Sequence, residues 1–233
     1  ELPSLITALL GKCTGHRQVK WVWQQHQQIG DPNALTARVS SIRALSWVFD
    51  LFIAVYDGGR ESMRKRGIPL PRIGVVYNGI REHQATRDAG WLRAELQLPP
   101  DTLVFVNTGW LIPRKRVDFI LRAFADVRAR LATPLALVVV GEGPQSKTLK
   151  NLSRMLGVES SVHFLGLRND VRELLAEADV LVHAALAETC TYVISEAMCA
   201  GIPSVVTDAG ASREQIISSE TGFVVEQGDH EGF

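Results

Sequence analysis

Two glutamates, Glu188 and Glu196, frame the stretch Glu188-Thr189-Cys190-Thr191-Tyr192-Val193-Ile194-Ser195-Glu196. The apolar run from Val180 to Leu186 comes before it and reads as a buried strand. Small and apolar residues at helical spacing come after it, and Gly201 and Pro203 stop that helix. Glu188 then sits on a strand-to-helix turn, and Glu196 one or two turns inside the helix. The backbone N–H groups of Thr189, Cys190, Thr191 and Tyr192 point out of the helix N-terminus, which attracts an anion, typically phosphate. A carboxylate beside a phosphate is better suited to accept hydrogen bonds from hydroxyls, on a ribose or on a sugar. The stretch reads as a cradle for a nucleotide sugar. The plainer reading, two acids complementing a helix dipole, also fits these residues taken alone.

A second group lies upstream, in Thr108-Gly109-Trp110-Leu111-Ile112-Pro113-Arg114-Lys115-Arg116. Here three cations follow a strand pattern and open a helix. A solvated helix start would explain them, but cations there oppose the dipole. A diphosphate is the better partner, with Lys115 as a point charge and Arg114 or Arg116 able to bind in a bidentate way. Gly141 and Gly143, in Gly141-Glu142-Gly143-Pro144, fit a phosphate turn or a tight strand-to-helix turn equally well. The turn Gly166-Leu167-Arg168-Asn169 follows another strand, where the backbone at Leu167 and Arg168 is placed to hydrogen-bond a nucleotide base. His163 and His183 fall inside strand patterns and read as core histidines. His26 follows a strand among glutamines and is a candidate catalytic group facing the cleft. The sequence contains no Asp-x-Asp, so no metal site is proposed on the diphosphate. Lys, Arg and helix N-termini are left to neutralise its charge.

The elements that must position these residues are regular beyond residue 102. Strand patterns at 103–107, 136–140, 162–165, 180–183, 204–207 and 223–225 alternate with helix patterns at 116–131, 146–156, 170–177, 191–200 and 211–218. Most of the strands are continuous apolar runs, as expected when both faces are covered. The alternation predicts an α/β fold with a doubly wound parallel sheet, in which ligands sit beyond the carboxyl ends of the strands. Every stretch singled out above lies there. Glu177-Ala178-Asp179 lies at the opposite end, the wrong place for a ligand. Upstream, 2–10 and 34–48 read as helices, 20–23, 52–56 and 73–77 as strands, and 60–65 as a helix. The polar stretch 80–101 carries one short helix and is the candidate boundary between domains 1–85 and 86–233.

Composition narrows the class. The chain has 233 residues, 46% of them hydrophobic, with 25 basic and 25 acidic side chains. That length supports one large or two smaller cores, and the balanced charge gives no reason to expect nucleic acid as a partner. Three cysteines without metal-like spacing favour reduced thiols and a cytoplasmic location. No apolar run approaches the ~20 residues of a membrane span, although peripheral membrane contact stays open.

Taken together, these stretches resemble the family 4, or group 1, glycosyltransferases of the GT-B fold. Val75-Val76-Tyr77-Asn78-Gly79-Ile80 is similar to the family's Asn-Gly segment. Gly109, Leu111 and Lys115 match its Gly-Arg-Leu-x-x-x-Lys stretch. Val139 to Pro144 and Phe164 to Gly166 match two more, and Glu188 and Glu196 match its Glu-x7-Glu, followed by Glu-Ala-Met-x-x-Gly-x-Pro. The resemblance covers about residues 50–225. It implies two Rossmann-like domains, the first incomplete at its N-terminus and the second, the donor domain, lacking its last helices. It implies transfer of a sugar from a nucleotide diphosphate to an acceptor (a glycan, a lipid-linked sugar or a small molecule), with retained configuration and with neither metal nor cofactor. By the same resemblance Lys115 steadies the diphosphate, Glu188 touches donor-sugar hydroxyls, Glu196 holds the ribose, and the turn after Glu188 gives amides to phosphate.

Three departures carry expectations of their own. Trp110 stands where the family has an arginine. Ala184-Ala185 replaces its Pro-Ser, and Thr189-Cys190-Thr191 replaces its Gly-x-Gly. Arg116, at a position that is usually glycine, is expected to supply the missing cation in preference to Arg114, with Trp110 as an apolar wall. Other readings of the same residues are a non-catalytic nucleotide-sugar binding module and another GT-B enzyme, such as a sugar-nucleotide epimerase.

Overall fold

The structure, a computed structural model, describes residues 20, 22–25, 48–83 and 85–233. His26 and the helices expected at 2–10 and 34–48 lie outside the described residues. The chain divides into two compact units, the first comprising residues up to Asn78 together with Glu188–Cys190, the second Gly79–Ala187 and Thr191–Phe233.

In the first unit, β1 (Val22–Gln25), β2 (Leu51–Ala54) and β3 (Ile73–Val75) form a parallel sheet in that order. Helix α1 (Asp57–Lys65) follows β2. Phe52, Ala54, Met63, Ile68 and Ile73 make the core with Val48 and Phe49. The strand expected at 73–77 ends early, at Val75, where the last bond to β2 is made by the Val76 N–H to the Ala54 carbonyl.

The second unit holds α2 (Trp91–Glu95), β4 (Leu103–Thr108), α3 (Val117–Arg130), β5 (Leu135–Val140), α4 (Ser146–Met155), β6 (Val162–Gly166), α5 (Val171–Glu177), β7 (Val180–His183), α6 (Tyr192–Ala200), β8 (Ser204–Thr207), α7 (Ser212–Gln215) and β9 (Gly222–Val225). All six strands are parallel, in the order β6-β5-β4-β7-β8-β9. Counted from β4 this is the doubly wound order, and it reverses between β4 and β7. Every residue of β5 is buried, because helices cover both faces. Its alternate side chains go to opposite layers. Val138 and Val140 pack with Leu174, Leu175, Val193 and Ile194, whereas Leu137 and Val139 pack with Leu121, Phe124 and Leu149. Each such buried aliphatic side chain contributes about 1.5–3 kcal/mol.

The chain ahead of α2 packs on this unit. Both Glu177 carboxylate oxygens accept from the Gly90 N–H, at 2.9 and 2.8 Å. Asp179 accepts from Arg93 Nη2 and from the Val104 N–H, each at 2.7 Å. The acids at the amino end of β7 therefore tie the chain to the base of the sheet. One element is shorter than its pattern. The helix expected at 211–218 ends at Gln215. Beyond it Thr221 Oγ1 accepts from the Ile217 N–H, and Ser219 takes a left-handed φ of 68°. The Ile216-Ile217-Ser218-Ser219 run, with two β-branched residues and two serines, favours that turn over another helical turn.

Candidate functional site

The strand order reverses between β4 and β7, the place where doubly wound sheets take their ligands, and two loops follow the carboxyl ends of these strands. The loop after β4 carries Gly109 to Arg116, and the loop after β7 carries Ala184 to Thr191. They are tied together at the backbone. The Leu186 N–H donates to the Arg114 carbonyl at 2.9 Å, and Arg114 Nη1 donates to the Ala187 carbonyl. Further bonds fix the second loop from below: Thr207 Oγ1 donates to the Ala185 carbonyl at 3.0 Å, and Gln227 Nε2 to that of Leu186 at 2.8 Å. Lys115 closes a short 3-10 turn, Pro113–Lys115. Its Cε lies 3.9 Å from where a Cβ on Gly109 would stand, so the side chain folds back over the end of β4. Glu188 follows Ala187 directly and is half-buried.

Arg116 and Trp110 complete this loop. Arg116 caps α3 in the left-handed region (φ 50°, ψ 40°), a conformation glycine adopts freely and arginine does not. Its guanidinium lies 3.5 Å from Asp118 and over the Phe119 ring, 5.3 Å from the centroid. Trp110 is 70% exposed. Arg114, from which little was expected, is the residue that joins the two loops.

Helix α6 carries the second acid. Its first-turn N–H groups, on Tyr192, Val193 and Ile194, have no carbonyl within the helix to receive them. Thr191 differs from expectation. Its N–H donates to Gln215 Oε1 at 3.2 Å, and Gln215 Nε2 donates back to the Thr191 carbonyl at 3.1 Å and to Ser195 Oγ at 3.0 Å. This amide is committed to the fold because α7 presents an amide side chain to it. Gly201 ends α6 with a φ of 73°, as its place in the sequence required. Glu196 Oε1 lies 3.6 Å from Arg172 Nε. Both side chains line an open cavity with His83, Thr86, Arg87 and Asn169.

The remaining turns have different occupations. A Cβ on Gly141 would meet the Gly109 carbonyl oxygen at 1.9 Å, and one on Gly143 would meet that of Leu111 at 2.4 Å. These glycines let the β4 and β5 turns pack backbone to backbone, with the Leu111 N–H donating to the Glu142 carbonyl. Leu167 presents an exposed side chain. The Arg168 guanidinium is clamped by both oxygens of Asp170, at 2.8 and 2.7 Å, and by Glu95 at 2.9 Å. Those carboxylates hold it charged, and in return the Arg168 bonds lower the Asp170 pKa. The Arg168 side chain is thus committed to these carboxylates. His183 is buried, and burial pushes the His163 pKa below its ordinary value. Among the described residues no group of three or more His, Cys, Asp or Glu is placed to hold a metal, and no helix is long and apolar enough to cross a membrane.

Arg172, Glu173, His83 and Gln215 escaped the sequence reading. Glu173 is buried on α5 and accepts from the Thr86 N–H at 3.1 Å and from Thr86 Oγ1 at 2.8 Å, with His83 Nε2 at 3.2 Å. The Thr86 bonds lower its carboxyl pKa. The only available signal was a charged pair in the first turn of a helix, which is too common to single out.

Known proteins resemble this chain in sequence and in fold. The family model described as glycosyl transferases group 1 matches residues 91–233, more than half of the chain. The lipopolysaccharide glucosyltransferase WaaG of Escherichia coli is 38% identical over 165 residues, covering 70% of this chain and 39% of its own length. The N-acetyl-alpha-D-glucosaminyl L-malate synthase of Bacillus anthracis is 33% identical over 165 residues, covering 70% and 43%. This chain thus spans about two fifths of the length of these relatives. The crystal structure of Anabaena HepE in complex with UDP superposes with a TM-score of 0.84 at 23% identity, over 98% of this chain and 63% of that one. Its neighbours in fold are GT-B glycosyltransferases. The Gly109–Lys115 turn and both glutamates fall inside the matched region, and the chain belongs to the group 1 glycosyltransferases.

Proposed function

We propose that the whole protein transfers a sugar from a nucleotide diphosphate to an acceptor, with retention of configuration and without a divalent metal. The observation that carries this is the joining, through Arg114, of the loop bearing Lys115 to the loop leading into Glu188 at the point where the strand order reverses. A diphosphate placed there meets an ammonium group from one side. From the other it meets the first-turn N–H groups of a helix, and both stabilise the charge that develops on the leaving group. Glu188 accepts from donor-sugar hydroxyls and Glu196 from the ribose. The backbone at Leu167 and Arg168 meets the base. Metal independence rests on this set of cationic and dipolar groups. Retention rests on the family resemblance, and the candidate role of His26 on its place after a strand pattern among glutamines. The UDP held by the HepE structure supports a nucleotide-sugar donor, and the acceptor class stays a glycan, a lipid-linked sugar or a small molecule.

The test uses the full-length protein with uridine, guanosine and adenosine diphosphate sugars, with and without excess chelator. The anomeric configuration of the product is read by NMR. Transfer that survives the chelator and keeps the donor's configuration is expected. Activity that vanishes with chelator and returns with magnesium or manganese overturns the metal-independent reading, and an inverted product overturns retention. The exposed Trp110, in place of an arginine, favours one second reading, a binding module. Donor binding without transfer or hydrolysis would select it.

A further inference from the structure

We propose that Arg172 is a positioning residue for nucleotide recognition: it orients the Glu196 carboxylate and couples it to Arg81, His83 and Thr86 beside the same cavity. This rests on the reading that Glu196 holds the ribose. Arg172 Nε sits 3.6 Å from Glu196 Oε1, which leaves Oε2 to hydroxyl donors. The other end of the same guanidinium reaches back to the chain ahead of α2, Nη1 meeting the Arg81 carbonyl at 3.5 Å. That contact is long and by itself weak. The next residue on α5 supplies the firm hold, since Glu173 takes the Thr86 N–H, the Thr86 hydroxyl and His83. The first turn of α5 thus holds Arg81 at one point and His83 with Thr86 at another, and points one arm at Glu196. His83, Arg172 and Glu196 line the cavity together.

In water this pair is worth little, since Arg172 and Glu196 side chains are 37% and 23% exposed. A nucleotide covering the cavity removes that water and strengthens the pair at the moment Glu196 must hold one orientation. An unrestrained glutamate would have to be ordered on binding, at a cost in side-chain entropy. The geometry therefore makes a prediction specific to the ribose. Loss of Arg172 should weaken the discrimination of hydroxyls and leave the diphosphate contacts, on a different pair of loops, in place.

The experiment measures dissociation constants of the full-length protein for uridine, guanosine and adenosine diphosphate and for the 2′- and 3′-deoxy forms of whichever binds. Wild type should prefer the ribonucleotide by about tenfold or more, the size of a charge-assisted hydrogen bond. Glu196→Ala should abolish the preference. Arg172→Leu should reduce it to about threefold or less while changing deoxynucleotide affinity by less than twofold, a partial version of the same loss. The double variant should be no worse than Glu196→Ala alone, because the two act as one unit. If Arg172→Leu lowers ribo and deoxy affinity by the same factor, the residue only supports the cavity and the proposal is overturned. If Glu196→Ala keeps the ribose preference, or wild type binds none of the three diphosphates, the underlying ribose assignment fails first. Should Arg172→Leu fail to fold, Arg172→Gln, which keeps a donor near the Nε position but neither the full reach nor the charge, carries the same comparison.

Discussion

The turns after β4 and β5 lie side by side, and both looked glycine-marked in the sequence, yet they solve different problems. The β5 turn uses Gly141 and Gly143 because its backbone runs against that of Gly109 and Leu111, where any Cβ would overlap a carbonyl. The β4 turn leaves open space at Gly109, fills it with the Lys115 side chain, and then puts an arginine into the left-handed conformation where glycine would be comfortable. One turn is set by packing. The other holds backbone strain and charge at the edge where a ligand would bind, a combination that marks function more often than stability. The difference teaches that a Gly-x-Gly turn at the carboxyl edge of such a sheet can be a packing support, with the charged side chains on the neighbouring turn.

The largest effect expected from this contrast is on stability. Gly141→Ala would drive its Cβ to within 1.9 Å of the Gly109 carbonyl, with φ at 133° besides. Overpacking and strain together should cost about 3 kcal/mol or more. Gly109→Ala meets nothing closer than 3.9 Å, leaving only the strain of its φ of 145°. It should cost roughly 1–2 kcal/mol. Urea unfolding of both variants checks the pair. Equal losses would erase the distinction between the turns.

The next effect is on binding. Lys115→Ala should leave unfolding unchanged and weaken nucleoside diphosphate affinity by about 1.5–3 kcal/mol, the cost of one charge-assisted contact. Titration calorimetry against a diphosphate and the matching monophosphate separates the contributions. The loss should be much smaller for the monophosphate. If both ligands weaken equally, Lys115 shapes the loop instead of meeting the terminal phosphate.

Much of this architecture was legible in the sequence. Short continuous apolar runs such as Leu135–Val140, bounded by turn residues, fit strands covered on both faces, and their alternation with helix patterns predicted a parallel sheet. Gly201 ended α6 where it stood in the chain. Other features arise from side chains meeting across the sequence, which periodicity does not record. Gln215 reaches back to take the Thr191 amide, and Glu173 reaches back to Thr86. The Arg168 side chain is held between Asp170 and Glu95, two partners that its place in the sequence does not reveal. Arginines 114 and 116 differ for the same reason. One faces a carbonyl of the next loop, the other lies along its own helix.

That last distinction gives the third prediction. Arg114→Ala removes the side-chain half of the tie between the two loops and leaves the Leu186–Arg114 backbone bond in place. A hydrogen bond from a charged group is worth about 1.5–3 kcal/mol when buried, and less at this exposed position. Diphosphate affinity should fall by a few fold, and turnover of the full-length protein should fall further, because the loop that loses its restraint leads into Glu188. Unchanged turnover would mean the backbone bond alone sets the spacing of the loops.

The smallest effect concerns Arg116, and it distinguishes strain kept for a purpose from strain merely tolerated. A non-glycine residue in the left-handed region costs about 1–2 kcal/mol relative to its preferred conformation. Arg116→Gly should therefore stabilise the fold by about 1 kcal/mol, despite the added freedom of the unfolded chain. The guanidinium has a partner in Asp118, but at 3.5 Å and with side chains 31% and 38% exposed. Such a pair is weak enough to be exchanged for a phosphate. Losing that option should weaken diphosphate binding by about fivefold, close to 1 kcal/mol. A variant that becomes more stable and binds less well would identify Arg116 as the cation that compensates for Trp110. If the glycine variant gains stability and binds as wild type does, the compensating role is lost. Trp110→Arg then becomes the informative change, since an arginine restored there should strengthen binding on its own.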